Sequence, residues 1–201
     1  MSDARSAVLG RIRSALAAAP LEPVEVPRDY ARGPLTGPAD VERFAEAVAE
    51  YRARVHRVSD IAATVRELVG PDATVAIPAD LPADWTDGVR TLTDEPRLSV
   101  EALDRADAVL TGCAVGIAAT GTIMLDAGAT QGRRALTLVP DHHICVVRAD
   151  QIVDSVPQGF AALDPVRPLT FISGPSATSD IELQRVEGVH GPRTLDVLIV
   201  S

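Results

Sequence analysis

Thr111 to Arg148 is the stretch that most limits what this chain can fold into. It reads T-G-C-A-V-G-I-A-A-T-G-T-I-M-L-D-A-G-A-T-Q-G-R-R-A-L-T-L-V-P-D-H-H-I-C-V-V-R. Three apolar runs lie in it, Thr122 to Leu125, Ala135 to Val139 and Ile144 to Val147, each of strand length and each bounded by Gly, Pro or Asp. The pattern predicts three strands, joined by a loop over Asp126–Arg133 and a tight turn at Pro140-Asp141. Ala119-Thr120-Gly121-Thr122 leads into the first of them. A loop of such small residues lets backbone N–H groups come close to a ligand and suits anions.

Around this stretch, strand and helix signals alternate. Asp40 opens a helix to about Arg52, and Ser59-Asp60 opens another over Ile61–Val69, closed by Gly70-Pro71. Leu81–Val89 is weakly helical at best, and Val100–Arg105 is a short helix. Asp150 caps a helix to about Val156, restarted by Pro157 through Leu163. Strands are expected at Val55–Val58, Thr74–Ile77, Asp107–Leu110 and Leu169–Ile172, with an apolar, interior strand last at Leu195–Val200. The alternation predicts an α/β fold: a mostly parallel sheet with flanking helices and an antiparallel three-strand segment. The 121–148 strands extend the main sheet or pack beside it.

The N-terminal part is different. Asp3–Ala17 carries Val8, Leu9, Ile12 and Leu16 at helical spacing. Ala19–Pro38 holds five prolines and two glycines, the composition of an extended linker. The expected organisation is a helix plus linker over 1–38 and an α/β domain over 39–201.

Composition excludes several chemistries. The formal charge is −9, which disfavours nucleic acid as a partner. All nineteen basic residues are arginine, so Schiff-base chemistry and a P-loop lysine are out. Without a signal-like or membrane-length apolar run, the expected location is the cytoplasm. The two cysteines, Cys113 and Cys145, are too few for an iron–sulfur cluster, which usually takes four thiolates. No metal-ligand spacing is evident, so no cofactor is expected in this chain.

Ligands of open α/β sheets bind outside the carboxyl ends of strands. The loops Thr111–Gly116, Ala119–Thr122 and Ser173–Asp180 fit that description. The expected substrate-binding set is Thr120, Gly121, Thr122, Arg134, Ser176 and Thr178, converging on a small anion. Arg133-Arg134 is the one adjacent arginine pair, able to clamp a carboxylate or phosphate. His190, in a glycine-rich loop before the last strand, is the candidate general acid/base. Each hydroxyl also reads as an ordinary cap or turn former. Cys113 follows a strand as a nucleophile would, yet a buried free cysteine is usually a small hydrophobe. Alternation sends His142 and His143 to opposite faces.

The segments 111–126 and 131–153, with G-P-S-A-T-S-D-I-E and G-V-H-G-P further on, resemble the lactate-utilization protein C family, which consists of an LUD domain. The likeness covers Val100–Ser201 strongly and the first half in layout only. It implies a fold like that of the ribose-phosphate isomerase, glucosamine-phosphate deaminase and CoA-transferase group. It also implies a role in oxidising L-lactate to pyruvate beside partner subunits that carry iron–sulfur clusters. Self-association into a homo-oligomer stays open. One departure is Ala119, where the family usually has an acidic residue before T-G-T. The competing readings are a stand-alone enzyme on a phosphorylated or CoA-linked substrate and a non-catalytic interaction module.

Overall fold

The computed structural model describes residues 2–17, 25–30, 32–34, 39–175 and 191–201. The chain divides into two compact units, Met1–Tyr30 and Ala31–Ser201. In the first, helix α1 spans Ser2–Ala17, and residues 25–30 have no helix or strand. Val8, Leu9, Ile12 and Leu16 are exposed on it. The predicted linker lies in part outside the described residues.

The second unit begins with helix α2, Val41–Glu50. Asp40 caps it by accepting from the Glu42 and Arg43 amides at 2.8 and 3.3 Å. Such a cap satisfies amides that have no intrahelical partner. Then follow β1 (Arg54–Val58), α3 (Ile61–Val69), β2 (Thr74–Ile77), β3 (Arg90–Thr93), α4 (Val100–Asp104), β4 (Ala108–Thr111), β5 (Val115–Ile117), β6 (Thr122–Leu125) and β7 (His142–Arg148). The chain continues through β8 (Ile152–Val153), α5 (Val156–Ala161), β9 (Thr170–Ile172) and β10 (Thr194–Val200).

Six strands form one sheet in the order β1-β10-β7-β4-β2-β3, every pair parallel. A second sheet runs β8-β5-β6-β9, with β5, β6 and β9 antiparallel and β8 parallel to β5. The architecture is therefore α/β, with a parallel sheet, flanking helices and an antiparallel three-strand segment. Phe44 and Val48 of α2 pack with Ile123 and Leu125 of β6 and with Cys145, Val197 and Ile199 of the main sheet. On the other face, Val65 of α3 meets Ile144, Val146 and Leu198. Parallel strands covered on both faces account for their near-continuous apolar runs.

Several expectations are corrected. Ala135–Val139 is a run of turns, not a strand: Leu136, Thr137 and Leu138 each bond the carbonyl three residues back. Leu136 is nevertheless fully buried, so the apolar run marks burial rather than extension. The antiparallel segment is not built from the 121–148 strands: 122–125 and 142–148 lie in different sheets, and β6 pairs with β5 and β9 instead. Leu169–Ile172 does not join the main sheet; Thr170–Ile172 is an edge strand of the second one. The predicted helix from Asp150 is a 3-10 turn at Ala149–Gln151 followed by β8. Helix α5 starts only at Val156, with Pro157 in its first turn.

Candidate functional site

A cleft of about 330 Å³ lies where the second sheet's edge strand β9 faces the starts of β7 and β10. Its wall includes Arg134, His143, Thr170, Ser173 and Gly191. It borders the amino ends of β7 and β10 rather than the carboxyl ends that the sequence pattern favoured.

The two adjacent arginines have separate tasks. Arg133 is a fork on Asp94, Nε to Oδ2 at 2.7 Å and Nη2 to Oδ1 at 3.0 Å, and it also donates to the Leu98 carbonyl. Burial alone would raise the Asp94 carboxyl, but the Arg133 hydrogen bond and charge and the Leu98 amide hold it below the ordinary range. Arg134 is exposed and donates from Nη1 to Thr170 Oγ1 at 2.6 Å. No carboxylate among the described residues pairs with it. A guanidinium in such a position is a ready partner for an anion.

The hydroxyls form a chain. Thr120 Oγ1 is 2.8 Å from Thr122 Oγ1, which is 2.9 Å from Ser173 Oγ. Ser173 lines the cleft, whereas Thr120 and Thr122 are not on its wall. Gly121 turns toward helix α2: its φ is +58°, and a Cβ there would sit 2.5 Å from the Ala47 carbonyl carbon. Ser176, Thr178 and His190 lie outside the described residues. Pro175 and Gly191, which bound that segment in the chain, both line the cleft.

His143 is a site residue that sequence reasoning did not select. It is 1% exposed, lines the cleft, and sits with Nε2 2.8 Å from Thr111 Oγ1. Burial, then the neighbouring His142, pushes its pKa down to about 3, so the ring is neutral at neutral pH. The alternation of residues in β7 was the available signal, since it turns one of the two histidines inward.

His142 belongs to a second polar centre on the opposite face of the main sheet. Fully buried Asp196 receives His142 Nε2 and His56 Nε2, each at 2.6 Å, and Arg54 Nη2. Burial alone would raise this carboxyl, but the hydrogen bonds from His142, Arg54 and His56 bring it down to about 2. Leu195–Val200 is thus not wholly apolar: it carries a buried carboxylate that needs these partners. Among the described residues no group of three or more His, Cys, Asp or Glu is placed to hold a metal ion. No helix among them is long and apolar enough to cross a membrane.

Cys113 and Cys145 are both buried free thiols, and neither lines the cleft. The Cys145 sulfur beside it and its own burial push the Cys113 thiol well above the usual range. The charge of Arg148 pulls the other way but is outweighed, and the buried thiol lacks the exposure of a nucleophile.

The fold and cleft define an α/β protein with an exposed arginine on the wall of its cleft. Residues 84–200 match the LUD domain. A protein of Deinococcus radiodurans named Lactate utilization protein C is 48% identical over 207 residues, spanning 100% of this chain and 97% of that one. Lactate utilization protein C of Halalkalibacterium halodurans is 35% identical over 117 residues, 54% of this chain and 50% of its own length. The crystal structure of a DUF162 family protein from Deinococcus radiodurans is 46% identical, with a TM-score of 0.69, covering 80% of this chain and 96% of that one. The chain belongs to the LUD domain family, in its lactate-utilization protein C branch.

Proposed function

We propose that this chain serves lactate utilization as a subunit of a complex that oxidises L-lactate to pyruvate in the cytoplasm. The observation that carries this reading is the 48% identity, over the full chain, to the Deinococcus protein named Lactate utilization protein C. The cleft is the substrate site. Arg134 holds the carboxylate, Ser173 donates at the cleft wall, Thr120 and Thr122 brace Ser173, and Gly121 seats their loop against α2. Ser176 and Thr178 complete the donors, and His190 moves the proton. Burying a small carboxylate is costly unless a charged donor meets it, and no carboxylate among the described residues pairs with Arg134. This chain holds no cofactor; the electrons leave through iron–sulfur clusters of partner subunits. The parallel sheet supports kinship with the ribose-phosphate isomerase, glucosamine-phosphate deaminase and CoA-transferase fold group.

Ala119 favours a second reading. The family's usual acidic residue is absent there, and a chain without that carboxylate would bind ligand and partners without performing chemistry itself.

The test is recovery of the tagged protein from lactate-grown cells, with iron analysis and growth of a deletion strain on lactate. Co-purified iron–sulfur protein and a growth defect are expected. Normal growth on lactate, or conversion of a sugar phosphate by the purified chain alone, would contradict the reading. Rescue of growth by Arg134→Ala would favour the second reading over the first.

A further inference from the structure

His143 Nε2 is satisfied by Thr111, but no group among the described residues meets its Nδ1. Buried polar atoms are nearly always paired. This one belongs to a ring that is 1% exposed and lines the cleft, which places it where a molecule in the cleft can supply the partner.

A neutral imidazole has one N–H and one lone pair, and a threonine hydroxyl can donate or accept. Two arrangements of the pair are therefore open. With the proton on Nε2, the ring donates to Thr111 Oγ1 and Nδ1 accepts from a ligand hydroxyl. With the Thr111 hydroxyl turned to donate to Nε2, the proton sits on Nδ1 and is offered to a ligand carbonyl. The low pKa of the ring keeps it neutral, so neither arrangement is lost to a second proton.

We propose that His143 Nδ1 contacts the oxygen on the carbon next to the ligand's carboxylate, and that Thr111 lets it serve a 2-hydroxy acid and its 2-oxo partner alike. This rests on the reading of the cleft as a carboxylate site anchored by Arg134. It makes His143 and Thr111 specificity-determining residues. A short acid with no oxygen at that carbon leaves Nδ1 unpaired and binds less well, because an unsatisfied buried polar group costs more than a missing contact.

The test is calorimetric titration of the full chain with L-lactate, pyruvate and propionate. L-Lactate and pyruvate are expected to bind within a few fold of each other, and propionate about tenfold more weakly. His143→Phe should erase that preference, and Arg134→Ala should weaken all three acids alike. Should His143→Phe fail to fold, imidazole nitrogen NMR of the wild-type chain decides. The ring proton should be on Nε2 with lactate and on Nδ1 with pyruvate. A preference that is absent, or that survives His143→Phe, overturns the inference, as does one tautomer for both ligands. If Arg134 still matters in that case, the carboxylate site stands without it. Binding of none of the three acids, or no effect of Arg134→Ala, overturns the carboxylate site and this inference together.

Discussion

Asp196 and His142 meet across neighbouring parallel strands, Oδ2 to Nε2 at 2.6 Å, with the carboxylate fully buried. Arg54 and His56, on the strand flanking the other side, reach the same carboxylate. One buried charge thus ties β1, β10 and β7 together at their amino ends. Asp196→Ala should destabilise the fold by about 1.5–3 kcal/mol, the usual worth of hydrogen bonds to a charged group. Urea denaturation of the variant checks this; an unchanged midpoint would mean the cluster contributes nothing to stability.

The two titrating groups act on acid stability in different windows. The Asp196 carboxyl sits at about 2 in the folded chain, below its ordinary value of about 3.9. Its contribution is therefore present above about pH 4 and is lost as pH falls through about 2. His143 sits at about 3, below the ordinary value of about 6.5. The unfolded chain takes up that proton first, so stability should fall from about pH 6.5 downward, by at most about 1.4 kcal/mol per pH unit. His143→Gln should flatten the decline between pH 6.5 and 4.5. Equal slopes in the two proteins would show that His143 is protonated in the folded state.

Gly121 predicts a steric effect. At φ +58° an L side chain is strained, and its Cβ would also lie 2.6 Å from the Val48 amide nitrogen. Gly121→Ala should cost at least about 2 kcal/mol, from the left-handed backbone and the forced shift of α2. The denaturation midpoint measures it, and a drop under a quarter of that would show that α2 yields freely.

Cys113 and Cys145 should be unreactive. Both are buried, and the Cys113 thiol is held far from ionisation. A disulfide-exchange thiol reagent should report no thiol on the native protein and two after denaturation, one for each cysteine in the chain. Prompt modification of the native protein would return Cys113 to the list of nucleophiles.

Most of the main sheet was legible because its signals are local. Asp40 and Asp60 cap their helices as read, with Asp60 accepting from the Ala63 amide at 2.9 Å. The runs at 55–58, 74–77 and 195–200 are strands of one parallel sheet. What failed was non-local. Ala135–Val139 has an apolar composition that suits a strand or a buried set of turns, and periodicity does not separate them over five residues. Val115–Ile117 was hidden by Gly116, which is small because a Cβ there would lie 3.1 Å from the Phe44 ring. Phe171, in the strand expected at Leu169–Ile172, is half exposed on an edge strand and packs at a tilt against Phe160 with centroids 5.5 Å apart. At the site, Arg134 could be named from the adjacent arginine pair, whereas the Thr122–Ser173 link joins residues 51 apart and was not foreseen. The role of His143 needed Thr111 as a partner 32 residues away, and the Asp196 cluster spans 142 residues.

The central claim is that the cleft holds a small carboxylate on Arg134, and calorimetry with Arg134→Ala tests it most directly. L-Lactate should bind the wild-type chain at a single site. The variant should bind it about 1.5–3 kcal/mol more weakly, the cost of removing a hydrogen bond to a charged ligand, with the thermal midpoint unchanged because Arg134 is exposed. Equal affinity for the two proteins, or no heat of binding with the wild type, would contradict the account.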